Sequence, residues 1–170
     1  MKQTKWFERK FDFSKTENIF PSIIERLAGT PARLEEKMKT ISVDILERKP
    51  DNTWSIKENI GHLTDLEPLW QGRFEDIKNG EKELRPTDLA NRKTDEADHN
   101  SKSLEQLLKE FREVRMMTLQ LLQAIDEETI FKSGLHPRLN TPMRTMDLFL
   151  FVAEHDDHHL ARITEMAKMK

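Results

Sequence analysis

The sequence predicts an all-α protein: a four-helix bundle behind an N-terminal arm (residues 1–16), in one domain spanning residues 1–170. Three observations carry that prediction. Apolar residues recur at the three-to-four spacing of an amphipathic helix in four long segments. No stretch shows sustained period-two alternation, the mark of a half-buried strand. Two of the four segments open with the serine and, three residues on, the acid or amide of a capping box: Ser55 with Glu58, and Ser103 with Gln106. At 170 residues the chain is long enough for one well-buried core and short for two.

Residues 1–16 mix charge with Trp6, Phe7, Phe11 and Phe13, which suits an irregular arm laying aromatics onto the body. An arm that binds a partner is the alternative. From Pro21, a residue suited to a first helical turn, Ile23, Ile24, Leu27, Leu34 and Met38 mark the first helix to about Thr40. Thr30-Pro31 predicts a kink in it, and a short turn follows through Leu46. Lys49-Pro50-Asp51-Asn52 reads as a loop. The second helix starts after Ser55, carries Ile60, Leu63, Leu66, Trp70, Phe74 and Ile77, and stops at Asn79-Gly80. Residues 81–100 are polar, and a connection of that length is a mobile surface crossover or a substrate lid. The third helix runs from Leu104 to Ile125. A second loop containing Gly134-Leu135-His136-Pro137 follows, and Thr141-Pro142 reads as N-cap and first position of a last helix that reaches the C-terminus.

Composition narrows the function. Charged residues make up 35% of the chain and the net charge is −3, with both signs interspersed. That gives no nucleic-acid footprint, which would show as a basic excess or stripe. There is no cysteine, so disulfides, a cysteine nucleophile and thiolate metal ligands are all excluded. The N-terminal residues lack the apolar core of a signal peptide, and no run approaches the ~20 apolar residues of a membrane span. A cytoplasmic protein without a membrane partner is the expectation.

The chemistry concentrates in His155-Asp156-Asp157-His158-His159, which holds three of the six histidines. Residues four apart share a helix face, so His155 and His159 can grip one ion. Stepping about 100° per residue places His159 inside the helix's apolar arc and His155 at its edge, with His158 outside. Asp156 falls at the centre of the arc, where a carboxylate must be hydrogen-bonded or paired. On the second helix His62 sits at the edge of the apolar arc and Glu67 within it. If the two helices are neighbours, His62, His155 and His159 converge as three imidazoles with open positions for water or substrate, the pattern of a catalytic metal site. The bland alternative is three satisfied core-edge histidines. Asp156 and Glu67 either orient the imidazoles from behind or pair with arginines across the bundle. His99, in an acidic loop, and His136, before proline, read as solvent-exposed.

Trp54-Ser55-Ile56-Lys57-Glu58-Asn59-Ile60-Gly61-His62-Leu63-Thr64-Asp65-Leu66-Glu67 resembles the second-helix motif of the DinB/YfiT-like superfamily. Ala153-Glu154-His155-Asp156-Asp157-His158-His159-Leu160-Ala161-Arg162-Ile163 resembles its last-helix motif, and Leu27-Ala28-Gly29-Thr30-Pro31-Ala32-Arg33-Leu34 its first-helix segment. The resemblance implies a bundle whose two middle helices are parallel and joined by a long crossover. It implies a metal triad at His62, His155 and His159, a divalent ion such as nickel or zinc, and the homodimer that members of the family often form. It also implies a small-molecule substrate, with activities that include transfer onto a low-molecular-weight thiol and metal-dependent hydrolysis. Glu154, Asp65 and Glu67 are the candidate general bases. A non-catalytic, metal- or partner-binding stress-response bundle is the competing reading, and it would be told apart by the absence of turnover.

Overall fold

The structure is a computed structural model that describes residues 3–50 and 53–169. Asp51 and Asn52, in the expected loop before the second helix, lie outside the described residues. In chain order the elements are α1 (Phe20–Met38), α2 (Ile56–Lys78), α3 (Arg92–Glu96), α4 (Leu104–Gln123), α5 (Glu127–Phe131), β1 (Ser133–His136), β2 (Thr141–Arg144) and α6 (Thr145–Met166). The four long helices, α1, α2, α4 and α6, form a four-helix bundle in which α1 and α2 each pack against both α4 and α6.

Side-chain registers give the helix directions. Glu67 and Gln71 of α2 meet Arg115 and Thr118 of α4 in rising order, so α2 and α4 are parallel. Arg26, Arg33 and Lys37 of α1 likewise meet Asp157 and Thr164 of α6 in rising order, so α1 and α6 are parallel. Asn59 reaches Met166 while Phe74 reaches Phe149, so α2 and α6 run in opposite directions. Parallel neighbours require a long connection, and residues 81–100 supply it between α2 and α4.

The helix ends follow the local chemistry. Ser55 Oγ accepts the Glu58 N–H at 3.1 Å, and the Ser55 N–H donates to Glu58 Oε2 at 2.8 Å, the full capping box. Gly80 ends α2 in the left-handed region at φ 75°, which only glycine enters without strain. At α4 the box is half made: Ser103 Oγ accepts the Gln106 N–H, but the Gln106 amide turns forward to Glu110. α1 runs unbroken through Pro31. Proline has no N–H for the Leu27 carbonyl one turn back, and that carbonyl instead faces Arg115 Nη1 at 3.4 Å.

Two expectations are corrected here. Thr141-Pro142 does not open the last helix. It pairs with His136 and Leu135 in a two-stranded antiparallel hairpin, and α6 begins at Thr145. There Asp147 accepts the Arg144 N–H at 3.0 Å and grips its guanidinium, a cap built from an ion pair rather than a hydroxyl. The crossover is also tied down along its length. Leu84 is buried and its N–H donates to the Leu135 carbonyl of the hairpin, the Leu135 N–H donates to the Lys82 carbonyl, and Thr94 and His99 are buried further on.

The apolar core falls into two parts, one around Leu27, Trp70, Phe74, Leu119, Phe149 and Val152, the other around Leu34, Ile60, Leu63, Phe111, Leu160 and Ile163. Between them runs a polar layer to which every long helix contributes: Thr30, Glu67, Arg115 and Asp156. The Arg115 guanidinium has five N–H donors. They face Glu67 Oε1, both Asp156 oxygens and the Leu27 carbonyl. Thr30 Oγ1 donates to Asp156, and Thr118 Oγ1 to Glu67. Burial raises the Glu67 pKa against the pull of Arg115.

Candidate metal centre

α2 and α6 bring His62, His155 and His159 together, with one ring nitrogen of each within 4.8 Å of the others. All three rings are buried. The Nε2 atoms of His155 and His159 lie 3.2 Å apart. Two nitrogens held tetrahedrally on one ion at ~2.0–2.1 Å stand about 3.3 Å apart, so this spacing suits a shared ion.

The surroundings determine which nitrogens carry protons. Asn59 Nδ2 donates to the Ser55 carbonyl at 2.7 Å, which turns Oδ1 toward His159 Nδ1 at 2.8 Å. His159 therefore keeps its proton on Nδ1 and presents a bare Nε2. Thr94 Oγ1 lies 3.0 Å from His62 Nδ1 and 2.9 Å from Asp65 Oδ2. The single hydroxyl proton goes to the carboxylate, so Thr94 accepts from His62 Nδ1–H and leaves the other ring nitrogen bare. His99 Nε2 closes the chain on the same Asp65 oxygen at 2.8 Å. Hydrogen-bond partners of this kind fix ring orientation and tautomer at metal sites. His155 Nδ1 is buried without a partner among the described residues, and the ring is met edge-to-face by Trp6 with centroids 4.9 Å apart.

Burial also sets the charge. Desolvation lowers the His62 pKa to about 4, Asp65 opposing, and lowers His155 and His159 well below the ordinary value, helped by repulsion from His62 on His155 and from His155 and His62 on His159. Neutral imidazole is the ligating form. These groups protonate near pH 6.5 when unfolded but resist protonation when folded. The stability they contribute is whole above pH 6.5 and drains away as pH falls toward 4. His62 alone, shifted from 6.5 to about 4, should cost the metal-free protein about 2 kcal/mol by pH 5, and His155 and His159 should add to the loss in the same direction. Urea unfolding after chelation, at pH 7.5 and pH 5, reads this directly, and a flat profile would contradict neutral burial of the trio.

The trio borders a cavity of about 500 Å³. Trp54, Trp70 and Phe151 give it apolar walls, and the crossover residues Thr87, Asp88, Leu89 and Asn91 and the arm residue Trp6 help to enclose it. The arm is held down by Arg9 on Glu154 and by Trp6 and Phe11 against Phe151, while Phe7 is exposed. His158 is half-buried beside the cavity and outside the trio.

Other expected residues fall elsewhere. Glu67 and Asp156 contact no imidazole; they take the arginine-pairing alternative, on Arg115. None of the candidate bases lines the cavity. Burial would raise the Asp65 and Glu154 pKa values, but hydrogen bonds, from His99 and Thr94 on the first and from Arg26 and Arg9 on the second, hold both below the ordinary range. His99 and His136, expected in solvent, are 2% and 1% exposed. His99 fills the notch left by Gly61, where a Cβ would stand 2.3 Å from the ring. Thr94 and Asn59, which orient two of the rings, sequence reasoning missed as site residues. Asn59 lies one turn before His62 on the same face, and that spacing was the available signal.

A bundle of two parallel helix pairs with three buried neutral imidazoles beside a cavity defines a class of histidine-centred helical bundles. The chain belongs to the DinB superfamily, whose family model matches residues 26–163. Among solved structures it is similar to YfiT from Bacillus subtilis, described as a probable metal-dependent hydrolase with an unusual four-helix bundle topology. The two share 22% identity over 95% of this chain and 93% of that one, with a TM-score of 0.79. No curated protein matches the sequence. Among the described residues no helix is long and apolar enough to cross a membrane.

Proposed function

We propose that His62, His155 and His159 hold a divalent transition metal, nickel or zinc, and that the protein is a metal-dependent enzyme acting on a small molecule. The observation that carries this reading is the convergence of three imidazoles, neutral by burial and oriented by their partners, at the wall of a substrate-sized cavity. Three protein ligands leave a coordination position open, the arrangement of catalytic rather than structural sites. Such an ion, when bound, supplies Lewis-acid polarisation and lowers the pKa of a water or thiol in the open position. Thr94 and Asn59 keep the bare nitrogens of His62 and His159 aimed inward. Trp54, Trp70 and Phe151 exclude water and receive the apolar part of a substrate. The two reactions in view are hydrolysis and transfer onto a low-molecular-weight thiol; with no cysteine in the chain, the thiol of the second must be a cosubstrate.

Protein prepared without a histidine tag is expected to contain or bind one transition metal per chain. Turnover on a panel of esters, amides and thiol–electrophile pairs should disappear on chelation and return with the metal. A protein that neither contains nor takes up such a metal contradicts the proposal. Metal binding without turnover on any substrate favours the non-catalytic reading.

A further inference from the structure

Arg73 is 1% exposed, lines the same cavity, and has no carboxylate partner among the described residues. Asp76, three residues on along the same helix, is taken by Arg85, whose guanidinium it meets at 2.6 and 2.9 Å. Arg73 instead donates from Nε to the Arg85 carbonyl at 3.0 Å, places its guanidinium 5.6 Å from the Trp70 ring centroid, and leaves Nη2 with no partner among the described residues. A buried cation ordinarily carries an anion with it, because desolvation without pairing is costly.

The neighbours add donors rather than acceptors. His136 Nδ1 accepts the backbone N–H groups of Arg138 and Leu139, each at 3.2 Å. A neutral ring must then carry its proton on Nε2, and Nε2 faces Arg73 Nη1, another donor, at 3.0 Å. The other tautomer only moves the conflict to the backbone N–H groups. Burial, then Arg73 and Arg138, lower the His136 pKa to about 4, so the ring stays neutral. Arg138 is half-buried at the cavity and has no ion pair among the described residues. Two cavity acids on the crossover are engaged, Asp88 by Arg92 and Asp95 by Trp54 Nε1. Donors therefore outnumber acceptors at this point, and an oxyanion entering from the cavity would supply the missing acceptor.

We propose that Arg73, Arg138 and His136 form an oxyanion subsite in the cavity, so that the substrate or thiol cosubstrate carries a carboxylate or phosphoryl group. The placement fits one bound molecule: the Trp70 ring neighbours both groups, 5.6 Å from the Arg73 guanidinium and 5.9 Å from the ring of His155. The substrate assignment rests on the enzyme reading above, whereas the anion affinity does not depend on a metal.

The test is calorimetric titration of the full chain, chelated and metal-loaded, with succinate, inorganic phosphate and uncharged succinamide. One or both anions should bind in either state and succinamide should not; the tighter anion identifies the group. Arg73→Met should weaken anion binding at least about tenfold, since hydrogen bonds to a charged group contribute about 1.5–3 kcal/mol. It should also melt no lower than the parent, because it removes a buried unpaired charge. Arg138→Gln, at a less buried position, should lose affinity in the same direction and keeps the test decisive if Arg73→Met fails to fold. Absence of anion binding, or unchanged affinity in the variants that fold, overturns the subsite. Anion binding intact in a protein that takes up no metal leaves the subsite standing and removes the metal-enzyme reading alone.

Discussion

Replacing Arg115 by methionine is expected to cost about 3–5 kcal/mol of folding stability, the usual consequence of stripping the partner from a buried charge. The guanidinium is 1% exposed and lies between Glu67 and Asp156, which are equally buried. Methionine fills similar space but leaves two carboxylates facing one another in a layer closed above and below by apolar side chains. Thr30 and Thr118 supply one hydroxyl each, too little to replace an arginine that faces both acids and the Leu27 carbonyl. Urea unfolding at pH 7 measures the loss, and a drop under 1 kcal/mol would show that the layer does not depend on its cation. Removing all three charges together, with Glu67→Gln and Asp156→Asn added, should recover most of the stability. The penalty comes from the orphaned acids rather than from any large net worth of the ion pairs.

This polar layer also shows how far the sequence can be read. The helical wheel places Asp156 and Glu67 on core-facing arcs, and from that position alone both must be paired. It does not give the partner. Arg115 lies on α4, in register with Glu67 only because α2 and α4 run parallel, and register between helices is a property of the assembled bundle. The freed Leu27 carbonyl has the same character. Pro31 predicts that the bond is missing, but only packing shows that Arg115 occupies it.

His62, His155 and His159 were legible because each lies on a long periodic helix, where angle predicts facing. His99 and His136 were not, because both sit in aperiodic segments whose burial comes from distant residues: Gly61 under His99, and Arg73 beside His136. The hairpin was missed because four-residue strands are too short to show alternation. Its turn was written in the sequence: Pro137-Arg138-Leu139-Asn140 joins the strands, with Asn140 in the left-handed region at φ 49°. Thr141-Pro142 imitates a helix start equally well on local grounds, and the hairpin's pairing with Leu135 and His136 decides against it.

His159→Ala should lower transition-metal affinity by about a hundredfold or more, at roughly 3 kcal/mol for each ligand of a multidentate site. His159 is the ligand with most to lose, since its Nε2 is 3.2 Å from that of His155 and its Nδ1 is fixed by Asn59. Competition against a metal-sensitive chelator, with circular dichroism to confirm the fold, gives the number. Three comparisons make the outcome specific. His158→Ala should bind as the parent does, because that ring stands outside the converging trio. Asn59→Ala should lose about ten- to a hundredfold, the cost of releasing the orientation of a ligating imidazole. Thr94→Val should behave similarly through His62, since it breaks the chain from Nδ1 to Asp65. Parental affinity in His159→Ala would show that the trio is a packed set of neutral rings. An equal loss in His158→Ala would mean that the ion is held by the His158–His159 edge of the helix, and that His62 is not part of the centre.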